Sequence, residues 1–451
     1  MKMRKNNTLK MKYVLTTIVF LIGISSFSQN KQWTLEACVN HALENNITVQ
    51  QAQNTLLINN QDIIAARGQF LPSVSGSMGQ RMSIGSGFDP VTNQRINNQT
   101  THSFNYNLSV NQNIFNGFRT LNLYKQSFLN QEINNLELAR IKDDISLNVV
   151  NAYLNVLFNK ENLQTVLAQY SFTKKRLKQV KSLVDAGVQP RANIFDVEAT
   201  LSRDEQQVTV AQNNVDLALL NLSQLLQVSY DGFDVATIDI DNPSSELLYN
   251  NIKPVLNYAL QNRSEIKLAK KNIENAELNT EISKSGYLPS VNFGYGFGSV
   301  WSESKNDFTK QAFFRELDLL KGHNFNLSVS IPIFSRFQNK TTVSKSKIQE
   351  ANSKLNLDQA KLTLESNIQR AFTDAKAALK AFEAAKRSLA AQELAFSNTQ
   401  ERYNIGTMNT FELEQARVQL INAETSLINA KYDFVFKTKV LDFYMGKSLT
   451  N

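Results

Sequence analysis

The chain has 451 residues, enough for about two to four domains of ordinary size. Its formal net charge is +8, but residues 1–28 contain five of the 48 cationic side chains and no acidic one. The remainder therefore carries 43 positive and 40 negative side chains, a near balance that argues against a nucleic-acid-binding groove. Cys38 is the single cysteine, which excludes an internal disulfide framework and a thiolate metal cluster. We expect Cys38 to be a small buried hydrophobe.

Residues 1–28 have the pattern of a secretory signal peptide. A basic start is followed by an apolar run from Tyr13 to Ile24 and by small residues, and cleavage is expected just before Gln29. The alternative is a membrane anchor, but the apolar run is shorter than the roughly 20 residues that a spanning helix needs. No later apolar run approaches that length. A chain that stays in a membrane would then cross it as part of a closed β-barrel.

The two halves of the chain repeat one series of short motifs at a nearly constant offset, which indicates a duplicated domain. The corresponding segments are 42–45 and 259–262, 71–74 and 288–291, 108–110 and 327–329, 114–115 and 333–334, and Gly187 and Gly406. We predict a first repeat over 29–229 and a second over 253–446. Residues 230–252 are predicted to be a linker, and 447–451 a C-terminal tail.

Each repeat is predicted to begin with a helix and to continue with two strands. The strands are expected at about 72–84 and 103–115, and at about 289–300 and 324–334. In all four, large apolar residues alternate with Ser, Asn or Gly over about ten residues, the length of a tilted strand that crosses a bilayer. Lys and Glu, which a soluble sandwich usually places on its outer face, are rare there, so a wet lumen is favoured. The segments 85–102 and 301–323 are predicted to be long polar loops on the external side.

A very long helix is predicted after each strand pair, because Arg119–Ala186 and the residues from Phe337 to Ile405 contain no glycine or proline. At 1.5 Å per residue, each would extend about 100 Å. Apolar residues from Ile368 to Leu389 follow a heptad rhythm that is typical of a coiled coil.

Tight turns are expected to fold each long helix into a hairpin, over 119–229 and 337–446. Gly187 and Gly406 suit the left-handed position just past a helix end. Asn193, and either Asn409 or Thr410, are candidate caps for the returning helices.

Four strands cannot close a transmembrane barrel, since the smallest such barrels have about eight. Identical copies must complete the wall, and three copies leave an aqueous lumen that two would not.

The order of these elements resembles that of the TolC-type outer-membrane efflux proteins, over nearly the whole chain after residue 30. The motifs that carry the resemblance are Ala-Leu-Glu-Asn-Asn at 42–46, Leu-Pro-Ser-Val at 71–74 and its repeat at 288–291, Ile333-Phe334, Tyr-Asn-Ile-Gly-Thr at 403–407, Phe-Glu-Leu at 411–413, and Ala416-Arg417.

The resemblance implies an α+β membrane protein that forms a homotrimer. A 12-stranded outer-membrane β-barrel, four strands per chain, would be continued by a long periplasmic α-helical barrel. It would act as a passive exit duct of a tripartite efflux or type I secretion system. The implied partners are outer-membrane lipid, a periplasmic adaptor (membrane fusion) protein and an inner-membrane pump of the RND or ABC type. The chain around 230–252 and the C-terminal residues would form a belt around the helices.

The resemblance also implies that acidic groups close the periplasmic end. Glu412 falls on the first acidic position of the family pattern and Gln415 on the second, while Asp196 matches the acid of the first repeat. The usual basic partner of that acid would fall at Met408, so Arg191 is a possible substitute. The alternative is that Glu412 and Asp196 are solvated acids at helix starts, where the helix dipole favours them.

Contact with the adaptor is expected at the two turns, through Gly187, Val188, Gly406 and Thr407. This expectation rests on the resemblance alone.

No catalytic constellation, cofactor motif or metal-ligand cluster is recognisable, so we predict a protein that is not an enzyme and binds no cofactor. A periplasmic coiled-coil adaptor or scaffold is the alternative function, but it would leave the four strands without a purpose. The cargo, whether drug, metal or peptide, stays open.

Overall fold

The computed structural model describes residues 32–88, 95–237, 251–304, 312–447 and residue 449. The predicted signal peptide, the centre of the predicted linker and most of the predicted tail lie outside the described residues. Among the helices described, none combines the length and the apolar character that crossing a membrane would require.

Both halves of the chain contain the same series of elements: two helices, two strands, a 67-residue helix and a 35-residue helix. In the first half these are α1 Leu35–Asn45, α2 Ile47–Gly68, β1 Ser73–Phe88, β2 Arg95–Asn116, α3 Arg119–Asp185 and α4 Ala192–Leu226. In the second half they are α5 Lys253–Asn262, α6 Ser264–Lys284, β3 Ser290–Ser304, β4 Gly322–Ser330, α8 Gln338–Asn404 and α9 Thr410–Tyr444, with α7 Phe313–Leu319 between the strands. The two structural repeats predicted from the motifs are therefore present.

The first helix of each repeat is broken in two, which the sequence analysis did not predict. The backbone leaves the helical region at Asn46 and at Arg263, where ψ is 129° and 141°. The Asn46 side chain then accepts the backbone N–H of Thr48 at 2.9 Å and so satisfies an amide at the start of α2.

The described residues form two compact units. The first contains the described residues up to Gln51, Leu138–Arg263 and the described residues from Lys361 onward. The second contains Ala52–Glu137 and Ser264–Ala360, and with them all four strands.

The four strands form one antiparallel sheet in the order β1-β2-β3-β4. Residues Val74, Val110, Tyr295 and Phe325 lie side by side across it, and Met78 and Tyr106 form a further pair on the same face. The next row holds Ser75, Ser109, Gly296 and Asn324 on the opposite face, where the Ser75 and Ser109 hydroxyls lie 2.9 Å apart. The sheet thus has one apolar face and one face of small polar residues, as the alternation predicts.

The predicted strand ends were partly wrong. β1 and β2 continue past a bulge at Gly85 to the pair Phe88 and Arg95, so the predicted loop over 85–102 is mostly strand. These extensions escaped notice because residues 95–102 are polar at nearly every position and show no alternation. The predicted loop over 301–323 contains the end of β3, helix α7 and the start of β4. β4 ends at Ser330 rather than at the predicted residue 334. Pro332 has no backbone N–H to donate to a neighbouring strand, which explains why the strand stops before it.

The core of the first unit forms where helices α1, α3 and α4 pack together. Cys38, Val149, Tyr153 and Leu222 are buried there. Cys38 is the buried hydrophobe that the sequence analysis expects, and burial raises the pKa of its thiol to about 12. The Tyr153 hydroxyl donates to the carbonyl of Ala236 at 2.6 Å and so fixes the start of the linker against the helices.

Most of the heptad seam of α8 is also buried. Ile368, Ala375, Leu379 and Phe382 are almost inaccessible to solvent, and the Phe382 ring stacks on Phe434 of α9 at 6.0 Å. The predicted coiled-coil packing is therefore confirmed for this stretch.

Candidate functional site at the helix turns

Both long helices end in a left-handed glycine, as predicted. The φ angles of Gly187 and Gly406 are 75° and 77°. The amide of Val188 donates to the carbonyl of Leu183 at 2.8 Å, the six-to-one bond of a Schellman turn. In the second repeat, Thr407 donates in the same way to Arg402 at 2.9 Å.

The predicted adaptor-contact residues Gly187, Val188, Gly406 and Thr407 are all exposed. Large apolar side chains accompany them, namely Phe195, Ile405 and Phe411. Each of these three side chains is more than 60% exposed to solvent.

Glu412 is held in a capping box at the start of α9. Its backbone N–H donates to Asn409 Oδ1 at 2.9 Å, and its carboxylate accepts the Asn409 N–H at 3.1 Å. Asn409 is therefore the cap, one of the two alternatives left open by the sequence. Glu412 has the local role of an acid at a helix start, and its side chain is exposed.

The corresponding prediction for the first repeat was wrong. Asn193 lies inside the first turn of α4, and the residue that precedes this helix is Arg191, whose side chain makes no capping hydrogen bond. The side-chain Nδ2 of Asn193 instead donates to Gln189 Oε1 at 3.4 Å. The backbone N–H of Asn193 already donates to the carbonyl of Pro190 at 3.1 Å, so the turn that leads into α4 begins before Asn193.

Asp196 and Gln415 line one groove between α4 and α9, with a volume of about 600 Å³. Arg203 and Glu414 line the same groove, whereas Glu412 does not. Within the described ranges, Asp196 forms no ion pair with Arg191, the partner suggested from the sequence. The structure thus brings two of the three predicted gate residues together and leaves the third at the cap.

A buried polar cluster near the turns was missed by the sequence analysis. Asp204 of α4 accepts hydrogen bonds from Arg417 Nη2 of α9 and from Thr173 Oγ1 of α3, both at 2.6 Å. Arg417 Nη1 also donates to Thr173 Oγ1 at 2.6 Å. Arg417, Asp204 and Thr173 are each at most 5% exposed, so this is a fully buried ion pair bridged by a hydroxyl.

Glu414 extends the cluster to a second arginine. Its carboxylate lies 3.5 Å from Arg417 Nη1 and accepts from Arg176 Nη1 of α3. The guanidinium of Arg176 is 5.1 Å from the ring centre of Tyr403, near the end of α8. The cluster therefore contains two cations and two acids, so its charges balance. It joins α3, α4, α8 and α9 near the turns.

The electrostatics of Tyr403 reflect this setting. Burial alone would raise the pKa of its hydroxyl, but hydrogen bonds with Thr410, Gln189 and Arg176 outweigh burial and lower the pKa. Tyr403 thus connects the end of α8 to both turns.

Some nitrogens of the cluster have no hydrogen-bond partner in the described part of the chain. These are Nε of Arg417 and Nε and Nη2 of Arg176, all of them buried. An ion pair of this kind loses much of its Coulomb gain to desolvation, whereas removal of one partner leaves the other charge buried and uncompensated. Among the described residues, no group of His, Cys, Asp and Glu side chains could hold a metal ion.

Comparison with solved structures identifies the fold. The chain is similar to the crystal structure of CusC, a protein that forms a transmembrane channel, with a TM-score of 0.77, 17% identity, and coverage of 94% of this chain and 96% of the other. This similarity establishes the fold, a four-stranded sheet and two long helical hairpins built from two repeats.

The sequence model of the Outer membrane efflux protein family matches residues 38–227 and 255–447, and the chain belongs to this family. It is 20% identical to the outer membrane protein TolC of Vibrio cholerae serotype O1, over 69% of each protein. It is 22% identical to the outer membrane efflux protein BepC of Brucella suis, over 95% of this chain and 88% of BepC. The predicted function is therefore confirmed: the protein is an efflux channel of the outer membrane with a periplasmic extension.

Proposed function

We propose that three copies of the chain form a closed wall of twelve strands and act as the exit duct of a tripartite efflux or type I secretion system. The observation that carries the proposal is the sheet, in which β1 and β4 are outer strands. An outer strand in hydrocarbon would leave backbone N–H and C=O groups without hydrogen-bond partners, at a cost of roughly several kcal/mol per group. In the trimer, β4 of one copy therefore pairs with β1 of the next. The apolar face of the sheet then meets lipid, and the Ser, Asn and Gly face lines the lumen.

The turns dock the adaptor in this proposal. Val188, Ile405 and Phe411 offer exposed apolar surface at the ends of the hairpins, and Thr407 is exposed at the second turn. A periplasmic adaptor that contacts them would connect the duct to an inner-membrane pump of the RND or ABC type, and the pump would select the cargo.

The groove that contains Asp196 and Gln415 is the candidate constriction. Glu414 adds a carboxylate to it and at the same time contacts Arg176 and Arg417, so the groove and the buried cluster share a residue. Three copies of such a groove would place acidic groups around the channel axis, where they would favour cations over anions. Glu412 would add its charge from the cap.

Gel mobility of the outer-membrane extract, with and without heating, tests the trimer. We expect an unheated species of about three chain masses that heating converts to one chain mass. A monomer in the soluble periplasmic fraction would contradict the proposal and favour the adaptor alternative.

An insertion tests the docking role. Three residues added between Thr407 and Met408 lengthen one turn without touching the buried cluster. We expect trimers to persist and efflux to be lost. Export at the normal level from this variant would show that the turns do not dock a partner.

A further inference from the structure

Helix α7 packs on the apolar face of the sheet. The Phe313 ring lies 5.3 Å from Phe104 and 5.1 Å from Trp301, two residues that are paired across β2 and β3. Leu317, one turn later, is buried. Because Phe104 is on the same face as Tyr106 and Leu108, α7 lies on the side that our proposal assigns to lipid, opposite to the Ser and Asn side.

Two polar groups of β3 explain why a helix is needed there. Ser299 belongs to the apolar face, and its hydroxyl donates to the carbonyl of Leu317 at 2.7 Å in a buried position. β3 extends beyond its last pair with β4, Gly298 and Gly322, and the amide of Ser302 in this overhang donates to Glu316 at 3.4 Å. α7 thus covers a hydroxyl and part of a strand edge that hydrocarbon would leave unsatisfied.

The outer side of α7 is itself apolar at several positions. Phe314 is 82% exposed, and Leu319 and Leu320 are more than half exposed. They continue the apolar face of the sheet, on which Met78, Phe325 and Leu327 are similarly exposed. Arg315 and Asp318 on the same exposed side give α7 the mixed character of a segment at the boundary between lipid and water.

We propose that α7 is an interfacial anchor whose Phe314 and Leu319 insert among the acyl chains of outer-leaflet lipid. The inference rests on the proposed function, in which the apolar face of the sheet meets the membrane. Phe104, Trp301 and Phe313 form the aromatic layer expected where a membrane sheet leaves the hydrocarbon. Helix α7 is then a lipid contact on the outside of the wall rather than a lid over the lumen.

Tryptophan fluorescence in vesicles tests the proposal. The chain has two tryptophans, Trp33 and Trp301. The substitutions Trp33→Phe and Trp301→Phe give a background without tryptophan fluorescence and keep an aromatic side chain at each position. Phe314→Trp in this background places the probe on α7. The protein is reconstituted as the full chain into vesicles of phosphatidylcholine whose acyl chains are brominated near the headgroup.

Two further probes serve as controls. Phe325→Trp lies on the apolar face of β4 and should be quenched wherever the sheet spans the bilayer. Phe411→Trp is matched to Phe314→Trp in exposure, since Phe411 is 76% exposed, but it lies at a helix turn and should keep its fluorescence.

We expect the Phe314→Trp probe to lose most of its fluorescence in brominated vesicles, as the Phe325→Trp probe does. Quenching at 325 without quenching at 314 would overturn the anchor and leave the proposed function intact. Absence of quenching at both positions would overturn both. Equal quenching at 411 would show that the signal does not report contact with acyl chains, and the anchor would fall.

Discussion

The two helix turns have the same backbone and different side chains. Gly187 and Gly406 differ by only 2° in φ, and each is followed by the same hydrogen bond to a carbonyl five residues back. The returning helix α9 begins with a capping box, whereas α4 begins without a side-chain cap. A hairpin between long helices depends on the left-handed residue, so duplication has kept that residue while the caps have diverged.

The ion pairs of helix α4 give a second comparison. Asp204 meets Arg417 with both side chains at most 7% exposed. Glu198, six residues earlier in the chain, meets Lys181 with both side chains more than 40% exposed. Each pair joins one acid and one cation near the same turns. A comparison of the two pairs therefore isolates the effect of burial on stability.

The largest effect is expected from Arg417→Met. It leaves Asp204 buried without its cation, and removing one partner of a buried pair costs about 3–5 kcal/mol. Lys181→Met is the control, with an expected loss below about 1 kcal/mol. The measurement is the midpoint of urea unfolding of the purified protein in detergent. Similar shifts for both variants would mean that the buried cluster does not hold the helices together.

Gly187→Ala and Gly406→Ala test the equivalence of the turns. An added Cβ would meet open space at both positions, so only the left-handed backbone opposes alanine, at about 1–2 kcal/mol per site. We expect equal losses of stability by the same unfolding measurement. A clear difference between the two would show that the repeats place unequal demands on their turns.

Asn409→Ala sharpens the contrast between the caps. It removes the side-chain acceptor of the Glu412 amide and should cost about 1 kcal/mol. Asn193→Ala in the first repeat should change stability by less than about 0.5 kcal/mol, because Asn193 is not a cap. The prediction fails if both substitutions have the same effect.

The smallest effect on stability is expected from Glu412→Gln. Glutamine also serves in a capping box, so the fold should be retained while the charge is lost. Cation selectivity in planar bilayers should fall if this carboxylate contributes to the constriction. Unchanged selectivity would assign Glu412 to the cap alone and leave Asp196 and Glu414 as the acidic candidates.

Much of the fold was predictable because its signals are local. Alternation marked the strands, and the long runs without glycine or proline marked α3 and α8. Gly187 and Gly406 marked the turns because the left-handed region strongly favours glycine. Because the domain is duplicated, each helix and strand could be predicted a second time from the corresponding segment of the other repeat.

The buried cluster was harder to predict because its partners are far apart in the sequence. Asp204 does occupy a core position, since it lies seven residues from Val197 and from Ala211, both of which are buried. An acid in such a heptad position is a signal that a buried cation must face it. The sequence alone, however, does not say that the cation is Arg417, and α3, α4 and α9 must be packed before the pairing becomes visible.

The unequal strand lengths have a mechanical consequence for a wall of three chains. β1 has 16 residues and β2 has 22, but β4 has only nine. Each joint between neighbouring chains, β4 against β1, is therefore limited to nine residues, while β1 and β2 are paired along nearly the whole of β1. The pairing of β3 with β4 inside each chain is also nine residues long, so the two shortest joints of the wall lie on either side of β4. Heat or force should therefore open the wall beside β4 before β1 separates from β2.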